Sequence, residues 1–206
     1  AAAINKVSDT TGVEATINET SIVGSSYTSA TVNSNITINN IVIDVSTGTG
    51  LEDIANLQNV ANSINLSSGQ TGVTAVFDGN PTVGIQLVAD DGRNIILEDG
   101  GANTDSVGLA TAGVYSGTFT LLSKDGSPID LDSTTGVISN AGLAVGTFSG
   151  SNSGAIGAQV GANALVTGDI VINGVPIGPS QSSFDTSSSA NQDSSAISKA
   201  AAINKV

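Results

Sequence analysis

Hydrophobic and polar positions along the chain alternate mostly with the period of two that is typical of β-strands. Val13–Ile17 reads V-E-A-T-I, which predicts a half-buried strand. A second strand is expected at Tyr27–Val32. Ile36–Val45 carries β-branched residues at strand spacing on both sides of Asn39-Asn40, which predicts a hairpin with these two asparagines in its turn.

Three later segments also have the pattern of a hairpin. In each, a turn dipeptide ending in Gly stands between alternating apolar residues, which is a strong hairpin signal. The segments are Ile85–Leu97, Phe119–Leu131 and Ile170–Ile177, with turns at Asp91-Gly92, Asp125-Gly126 and Asn173-Gly174. The first two align at an offset of 34 residues, the third repeats the pattern of residues 36–43, and a short strand is expected within Leu143–Phe148.

Residues 51–66 have helical periodicity instead. Ile54, Leu57, Ala61 and Ile64 form one apolar stripe. We expect Thr49 to cap the helix with Glu52 completing a capping box, and Gly69 and Gly72 to end it. The helix is expected to lie on a sheet formed by the preceding hairpin and a strand at Val73–Phe77. A second helix is expected from Asp193, as its cap, to the C-terminus, and Ala1–Val7 is expected to be a helical end.

The chain contains internal repeats. The pattern I-N-x-x-S-x-x-T-G-V-x-A begins at Ile64 and again at Ile4, and the heptapeptide AAAINKV occurs at residues 1–7 and 200–206. Either the unit occurs in tandem in a longer protein, or the piece was cut or rejoined inside a repeated element. We expect the two heptapeptides to be helical ends of one unit or to compete for one place.

These patterns predict an α+β fold that is mainly β, with antiparallel hairpins and two short helices packed on sheets. We expect two subdomains. Residues 36–168 form an inserted unit, and residues 1–35 with 169–206 form a discontinuous one. The Gly-, Ser- and Ala-rich stretches are expected to be exposed connections, and residues 178–192 are expected to be a linker that proteases attack first.

Composition excludes several classes of function. The 206 residues carry a formal net charge of −13 with only five Lys and Arg, which argues against binding to nucleic acid or anionic lipid. No apolar run reaches the roughly 20 residues that cross a bilayer. The chain has no Cys or His, so thiolate metal sites, disulfides and the usual general base are missing. It begins without Met and inside a motif, as expected of an excised fragment.

The remaining candidates for chemistry are carboxylates and glycine-rich turns. Asp90-Asp91 and Glu98-Asp99 are local acidic pairs, and Asp90, Asp91 and Asp99 could converge on Ca²⁺ across a hairpin. Gly48–Gly50 and Gly100-Gly101 are similar to phosphate loops but lack the lysine of a P-loop. Turn and strand-end roles explain all of them better. We therefore assign no catalytic, cofactor-binding or metal-binding residue, expect no cofactor, and do not expect an enzyme.

The pattern I-T-I-N-N-I-V-I followed by N-V-A-N-S-I-N-L-S-S-G-Q-T-G-V-T-A resembles the hook IN motif of bacterial flagellins. Its Ile-Asn falls at Ile64-Asn65, Ile4-Asn5 and Ile203-Asn204. The segments G-I-Q-L-V-A-D-D-G-R-N-I-I-L and Y-S-G-T-F-T-L-L-S-K-D-G-S-P-I-D-L also resemble flagellin segments that follow the motif. The resemblance covers residues 4–45, 51–97, 115–131 and 170–206. The long terminal helices by which flagellins polymerise are absent.

The resemblance therefore implies the variable outer region of a flagellin-like subunit, an extracellular, non-catalytic structural part of a motility filament. It implies partner subunits that are contacted through helices outside these residues, a monomeric fragment, and O-linked glycan on surface Ser or Thr. The sequons at Asn18, Asn35 and Asn65 carry little meaning in a bacterial protein. The alternative is an extracellular adhesin or carbohydrate-binding repeat module, which would need exposed aromatic side chains, and the chain has only two Tyr and four Phe.

Overall fold

The computed structural model describes residues 8–149, 155–156 and 158–206. Within them the strands are β1 (Val13–Ile17), β2 (Thr20–Ile22), β3 (Val32–Ile38), β4 (Ile41–Thr47), β5 (Thr74–Val76), β6 (Gln86–Ala89), β7 (Ile95–Asp99), β8 (Gly113–Tyr115), β9 (Phe119–Ser123), β10 (Ile129–Asp132), β11 (Gly146–Phe148), β12 (Ala155–Ile156), β13 (Val171–Ile172) and β14 (Val175–Pro176). The α-helices are α1 (Ser8–Thr11), α2 (Asp53–Leu66), α3 (Ser68–Thr71) and α4 (Ala196–Ile203). The expected heptapeptide helix at residues 1–7 lies outside the described residues.

The chain divides into two compact units. Unit 1 comprises Ala1–Glu19 and Ser116–Val206, and unit 2 is Thr20–Tyr115. One unit is thus inserted into the other, but the chain crosses between them at other places than the boundaries expected at 35/36 and 168/169. The reason lies in strand pairing: β3, within Val32–Ile38, pairs with β4 and β7 across the first expected boundary, and β13 pairs with β10 across the second.

Unit 2 contains two antiparallel sheets, with strand orders β2-β6-β5 and β4-β3-β7-β8. The β3–β4 hairpin is confirmed, and its turn residues Asn39 and Asn40 have φ angles of 49° and 68°. Both central residues of a type I′ turn need a positive φ, which Asn tolerates better than other side chains. The core is aliphatic apart from Tyr27, with α2 packed on β4 and β5.

Helix α2 differs in detail from its prediction. It begins after Glu52 without a side-chain cap, so Thr49 does not cap it. Leu57, Ala61 and Ile64 are buried as expected, but Ile54 is exposed, and Val60 completes the buried face. Gly72 provides the left-handed exit with a φ of 67°, but only after the extra turn α3, which contains Gly69.

In its described residues, unit 1 also contains two antiparallel sheets, with strand orders β1-β9-β12 and β11-β10-β13-β14. Strand β1 has the predicted bounds, and β13 and β14 form the predicted hairpin around Asn173-Gly174. Helix α4 begins after Ser195, whose side chain accepts a hydrogen bond from the Ser198 amide, so Asp193 is not its cap. A second core lies in unit 1, aliphatic apart from Phe119, with residues from β1, β9, β10, β13 and α4.

The prediction of hairpins at the two Asp-Gly turns is wrong. Gly92 and Gly126 do have positive φ and form turns, but β6 and β7 belong to different sheets, as do β9 and β10. Each Asp-Gly turn therefore carries the chain from one sheet to the other. The acidic pairs that were expected on one hairpin are separated accordingly.

The two units have the same sheets and the same strand pairing, but the corresponding elements follow one another in a different order along the chain. The sheet β5-β6-β2 corresponds to β1-β9-β12, and β4-β3-β7-β8 corresponds to β14-β13-β10-β11. The register agrees as well: Ile38 pairs with Leu97 and Ile172 with Leu131, and Ala75 pairs with Leu87 and Ala15 with Leu121. Helix α4 stands in the place of α2, and α1 in that of α3. Unit 2 interrupts unit 1 between β1 and β9.

Two segments differ from their predictions, the expected linker at residues 178–192 and the expected strand at Tyr27–Val32. Residues 178–192 pack into unit 1: Ser180, Asp185 and Ser188 are buried, so the linker interpretation is wrong. The strand expected at Tyr27–Val32 begins only at Val32, and Tyr27 instead lies buried in the core of unit 2. Strands β2 and β12 were not predicted because each is three residues or shorter.

Candidate functional site

The Ile-Asn pair at the end of α2 fastens the helix to strand β5. Ile64 is fully buried. The Asn65 side chain donates from Nδ2 to the Ala75 carbonyl at 2.9 Å and accepts at Oδ1 from the Ala75 amide at 2.8 Å. β5 is an edge strand whose other side pairs with β6. One primary amide thereby satisfies both main-chain groups that the edge residue leaves unpaired. We call this arrangement the Asn clamp.

Unit 1 contains the same Asn clamp. Asn204 donates to the Ala15 carbonyl at 3.2 Å and accepts from the Ala15 amide at 3.0 Å. Ile203 is buried beside it, as Ile64 is in unit 2. Asn204 is itself buried, whereas Asn65 is exposed. The clamp was not predicted from the sequence, although the ten-residue spacing from Asn to Ala was visible in the repeat.

A second asparagine joins three chain segments in each unit. Asn39, in the β3–β4 turn, donates to the Thr71 carbonyl at 2.8 Å and accepts from the Ile96 amide at 2.8 Å. Asn173, in the β13–β14 turn, donates to the Thr11 carbonyl at 2.8 Å and accepts from the Asp130 amide at 3.0 Å. The hairpin, the Thr-Gly-Val turn and the central strand are thus tied together in the same way twice.

The acidic pairs are kept apart by strand β7. Asp90 and Asp91 precede it, and Glu98 and Asp99 end it, so the extended chain from Ile95 to Glu98, about 10 Å long, lies between the two pairs. Asp99 accepts the Thr104 amide at 2.9 Å. Asp90, Asp91 and Asp99 are therefore not brought together around one cation. Within the described residues, no group of three His, Cys, Asp or Glu side chains is arranged to hold a metal ion.

Asp91 forms an ion pair with Arg93. The guanidinium donates from Nη2 to Asp91 at 2.7 Å and from Nη1 to the Thr71 carbonyl at 3.2 Å, and so links the turn to the end of α3. Partial burial raises the pKa of Asp91, but the hydrogen bonds and charge of Arg93 outweigh it and hold the pKa below its ordinary value. This pairing gives Asp91 a structural role.

Among the largest fully buried side chains of the described residues, Lys199 is the one that carries a charge. It lies on α4 at the position that Val60 occupies on α2. Its ammonium donates to the main-chain carbonyls of Asn140 at 2.5 Å and Gly161 at 2.6 Å. Burial lowers the pKa of Lys199 to about 8, against the opposing effect of Asp193 and Asp169. Its burial was not predicted from the sequence, although it interrupts an otherwise apolar helical stripe.

The glycine-rich turns are used for packing. The Gly48 amide and carbonyl both bond to the Asn56 side chain at 2.9 Å, so this loop offers no free cradle for phosphate at Gly48. A Cβ at Gly100 would lie 2.2 Å from the Asn35 side chain, which explains the glycine there. The sequon asparagines are also engaged: Asn18 donates to Thr118, Asn35 accepts from Gly101, and Asn65 forms its clamp.

Two concave surfaces occur on unit 2. The first is an open groove of about 520 Å³ between β4 and α2, lined by amide, carboxylate and hydroxyl groups with two exposed leucines: Asn33, Asp44, Ser46, Asn59, Asn62, Leu51 and Leu66. The second is a depression of about 620 Å³ lined almost wholly by small polar residues, among them Ser26, Thr28 and Ser29. Neither contains the paired acid and base that hydrolytic chemistry needs.

Comparison with protein-family models finds no matching family, and comparison with curated proteins finds no matching relative. In the described part of the chain, no helix has the length and apolar character that a membrane span requires.

Proposed function

We propose that this chain is the surface-exposed variable region of a flagellin-like filament subunit, a structural and non-catalytic part of an extracellular bacterial motility filament. The observation that carries the proposal is the Asn clamp. The Ile-Asn residues that resemble the hook IN motif perform one specific task, the fastening of a helix end to an edge strand, and they do so in both units.

The arrangement of the chain supports an outer, variable position. At the point of insertion, Ile17 pairs with Phe119, and the Asn18 amide donates to the Thr118 carbonyl at 3.0 Å. The segments that lead into and out of unit 2 are therefore held side by side within unit 1. Insertion at such a place leaves the host sheet intact, which suits a region whose size varies.

The charges support a surface that remains soluble at high local density. The net charge is −13, and of the five basic residues Arg93 and Lys124 are in ion pairs and Lys199 is buried. A net negative charge of this size disfavours lateral association between neighbouring copies. Exposed Ser26, Thr28 and Ser29 around the polar depression offer hydroxyl groups for O-linked glycan.

A chimeric filament tests this proposal. The chain replaces the outer region of a flagellin in a strain that lacks its own, with the polymerising terminal helices retained as the partners of neighbouring subunits. We expect filaments whose surface binds antibodies raised against the chain. Filaments in which the chain is shielded from antibody, or a chain whose native coding sequence lacks flanking helical heptads on both sides, would contradict the proposal.

The groove between β4 and α2 favours a second candidate, a carbohydrate-binding or adhesin module. Its amides, Asp44 and hydroxyls are the groups that bond sugar hydroxyls, and Leu51 and Leu66 supply apolar contact. A glycan array with the intact chain tests it, with Asp44→Ala combined with Asn62→Ala as the groove variant and Asp9→Ala as the control. Saturable binding that only the groove variant loses would favour this function, and its absence would exclude it.

A further inference from the structure

Strand β4 is an edge strand of unit 2 whose outer side is open. In the part of the chain that the structure describes, it pairs with β3 and with no other strand. Ile38 and Ile41 flank the two-residue turn and form a hydrogen-bonded pair, so every second residue from Ile41 bonds to β3. The residues between them, Val42, Asp44 and Ser46, direct their N–H and C=O groups away from β3, and their side chains are exposed.

The main-chain groups along this edge have no partner. Within the described residues, no hydrogen bond engages the N–H or C=O of Val42, Asp44 or Ser46. Strand β5 of the same unit is different, because the Asn clamp covers its edge at Ala75. A row of unpaired groups on an exposed edge strand is a template for one more strand. Unit 2 thus covers one sheet edge with a side chain and leaves the edge of β4 available.

The corresponding edge of unit 1 is blocked by proline. The β13–β14 hairpin aligns with the β3–β4 hairpin, so that Pro176 stands at the place of Val42 and Ser180 at the place of Ser46. Proline has no N–H to donate, and natural sheets use it to protect an edge. The Ser180 amide already donates to the Leu165 carbonyl at 3.2 Å. Two of the three amides that are open in unit 2 are therefore absent or used in unit 1.

The open edge forms one wall of the groove between β4 and α2. Asp44 and Ser46 line the groove from the strand, and Asn62 and Leu66 line it from the helix. Leu51 also lines it, and both leucines are exposed. A strand added along β4 would lie in this groove, with its side chains directed alternately to the sheet face of Asp44 and toward α2. An extended peptide would therefore contact both a main-chain edge and a helix face.

The charge at the groove selects the kind of peptide. Asp44 is the only charged residue among those that line the groove, and it is the middle one of the three open positions. A second copy paired antiparallel about this position would place Asp44 opposite Asp44, and like charges directly opposite destabilise a strand pair. The net charge of −13 on each copy adds to this repulsion. A lysine or arginine opposite Asp44 is favoured instead.

We propose that the edge of β4 binds an extended, basic peptide segment of another protein, which adds one further strand to the sheet β4-β3-β7-β8. The main chain of the segment bonds to Val42, Asp44 and Ser46. Basic side chains, one of them opposite Asp44, alternate with apolar side chains that face α2 and contact Leu51 and Leu66. This binding does not depend on the proposed place of the chain in a filament.

Binding of a synthetic peptide to the whole chain tests the proposal. The probe is a heptapeptide of alternating Lys and Val with both ends blocked, which matches the seven residues of β4. Its control carries N-methyl groups on the main-chain nitrogens of the lysines, which face β4 when a lysine lies opposite Asp44, and has the same charge. We expect saturable binding of the probe in an NMR titration, with protection of the Val42, Asp44 and Ser46 amides from hydrogen exchange. The control should bind at least about tenfold more weakly.

Three variants test the edge and its charge separately. Val42→Pro copies Pro176 of unit 1 and should weaken binding of the probe at least about tenfold. Asp44→Lys should reverse the preference, so that a peptide with Glu in place of Lys binds more tightly than the probe. Asp90→Lys changes the net charge equally at an exposed residue of unit 2 that does not line the groove, and should leave the preference as it is in the native chain.

Equal binding of the probe and its N-methylated control would reduce the interaction to attraction by net charge and would overturn the proposal, as would the absence of saturable binding. Because this comparison uses the native chain, it decides the question even where Val42→Pro does not fold. Protection of the three amides that grows with protein concentration without peptide would assign the edge to a second copy. Glycan binding in the groove without peptide binding would assign it to carbohydrate, and both results would contradict the proposal.

Discussion

Asn204 and Ala15, 189 positions apart in the chain, are joined by two hydrogen bonds between one side-chain amide and both main-chain groups of one residue. Ala15 lies in β1, an edge strand of its sheet. An edge strand normally exposes a row of unpaired N–H and C=O groups to association with other chains. The Asn204 side chain thus bonds to Ala15 as a neighbouring strand would. This covers the strand edge at Ala15 and fixes the end of the helix.

Lys199 predicts a stability that rises with pH in the alkaline range. Its pKa is lowered by burial to about 8 in the folded protein, against an ordinary value of about 10.4 in the unfolded chain. Between these values the unfolded chain binds a proton that the folded protein does not, so the free energy of unfolding increases as pH rises through this window. The expected gain is about 3 kcal/mol between pH 7 and pH 10.5.

Denaturant unfolding of the native chain and of Lys199→Met over this pH range measures the gain. The variant removes the titrating group, and both proteins share the tyrosines and the remaining lysines, so the difference between them isolates Lys199. A difference that stays constant from pH 7 to pH 10.5 would show that the folded protein holds Lys199 at its ordinary pKa.

The turns at Asn39-Asn40 and Asn173-Gly174 predict that exchanging Asn and Gly at the second turn position changes stability in opposite directions in the two units. Asn40 has a φ of 68° without the freedom of glycine, and Gly174 occupies the same turn position in unit 1 with a φ of 82°. Asn40→Gly should raise the free energy of unfolding by about 0.5 kcal/mol, because Asn-Gly suits a type I′ turn best, and Gly174→Asn should lower it by a similar amount. Urea unfolding measures both, and the same sign for the two variants would refute the shared turn geometry.

Arg93 predicts a change that NMR can follow at Asp91. Arg93→Lys removes the two-pronged pairing with Asp91 and the bond to Thr71, so the pKa of Asp91 should rise toward its ordinary value. The lowered pKa contributes stability above about pH 4, and this stability is lost as pH falls through the folded pKa. Because Asp91 is 43% exposed, we expect the substitution to cost less than about 1 kcal/mol.

Carboxyl ¹³C titration measures the pKa directly. Lys124→Met is the control, because its partner Asp9 is 85% exposed and the pair should matter little. An Asp91 pKa that does not move in Arg93→Lys would remove Arg93 as the cause of its shift.

The segment 178–192 should resist proteolysis in the folded protein. Asp185 is buried and accepts the amides of Ser187 and Ser188 at 2.9 Å, and Ser180 donates to the Asp193 carbonyl at 2.5 Å. Asp185→Ala removes the two acceptor bonds and should open the segment to cleavage. Limited digestion with mass spectrometry locates the cuts, and rapid native cleavage here would restore the linker interpretation.

Local signals in the sequence predicted where the chain turns but not which strands pair with each other. Asn39-Asn40 and Asn173-Gly174 form the expected hairpins because their turns join strands that pair directly. Asp91-Gly92 and Asp125-Gly126 carry the same signal, yet their strands enter different sheets. A dipeptide specifies how the backbone turns, whereas the partner of a strand depends on contacts with residues far away in the chain.

The repeats located equivalent residues but not the order in which they assemble. The offset that aligns Ile4-Asn5 with Ile64-Asn65 correctly pointed to Ala15 and Ala75 as matching positions. It could not reveal that Asn204 completes the clamp on Ala15, because that depends on the closure of the whole of unit 1. Lys199 was missed for a related reason: a buried lysine needs carbonyl acceptors, and Asn140 and Gly161 are distant in sequence.

The Asn clamp as the organising contact of each unit is tested most directly by Asn65→Ala, with the exchange rate of the Ala75 amide as the measurement. Because the substitution leaves both main-chain groups of Ala75 to water, we predict a loss of about 1 kcal/mol in protection at Ala75 and a similar loss in the stability of unit 2. Gln58→Ala, on the exposed face of the same helix, should change neither. An Ala75 amide that exchanges at the native rate in Asn65→Ala would contradict the account.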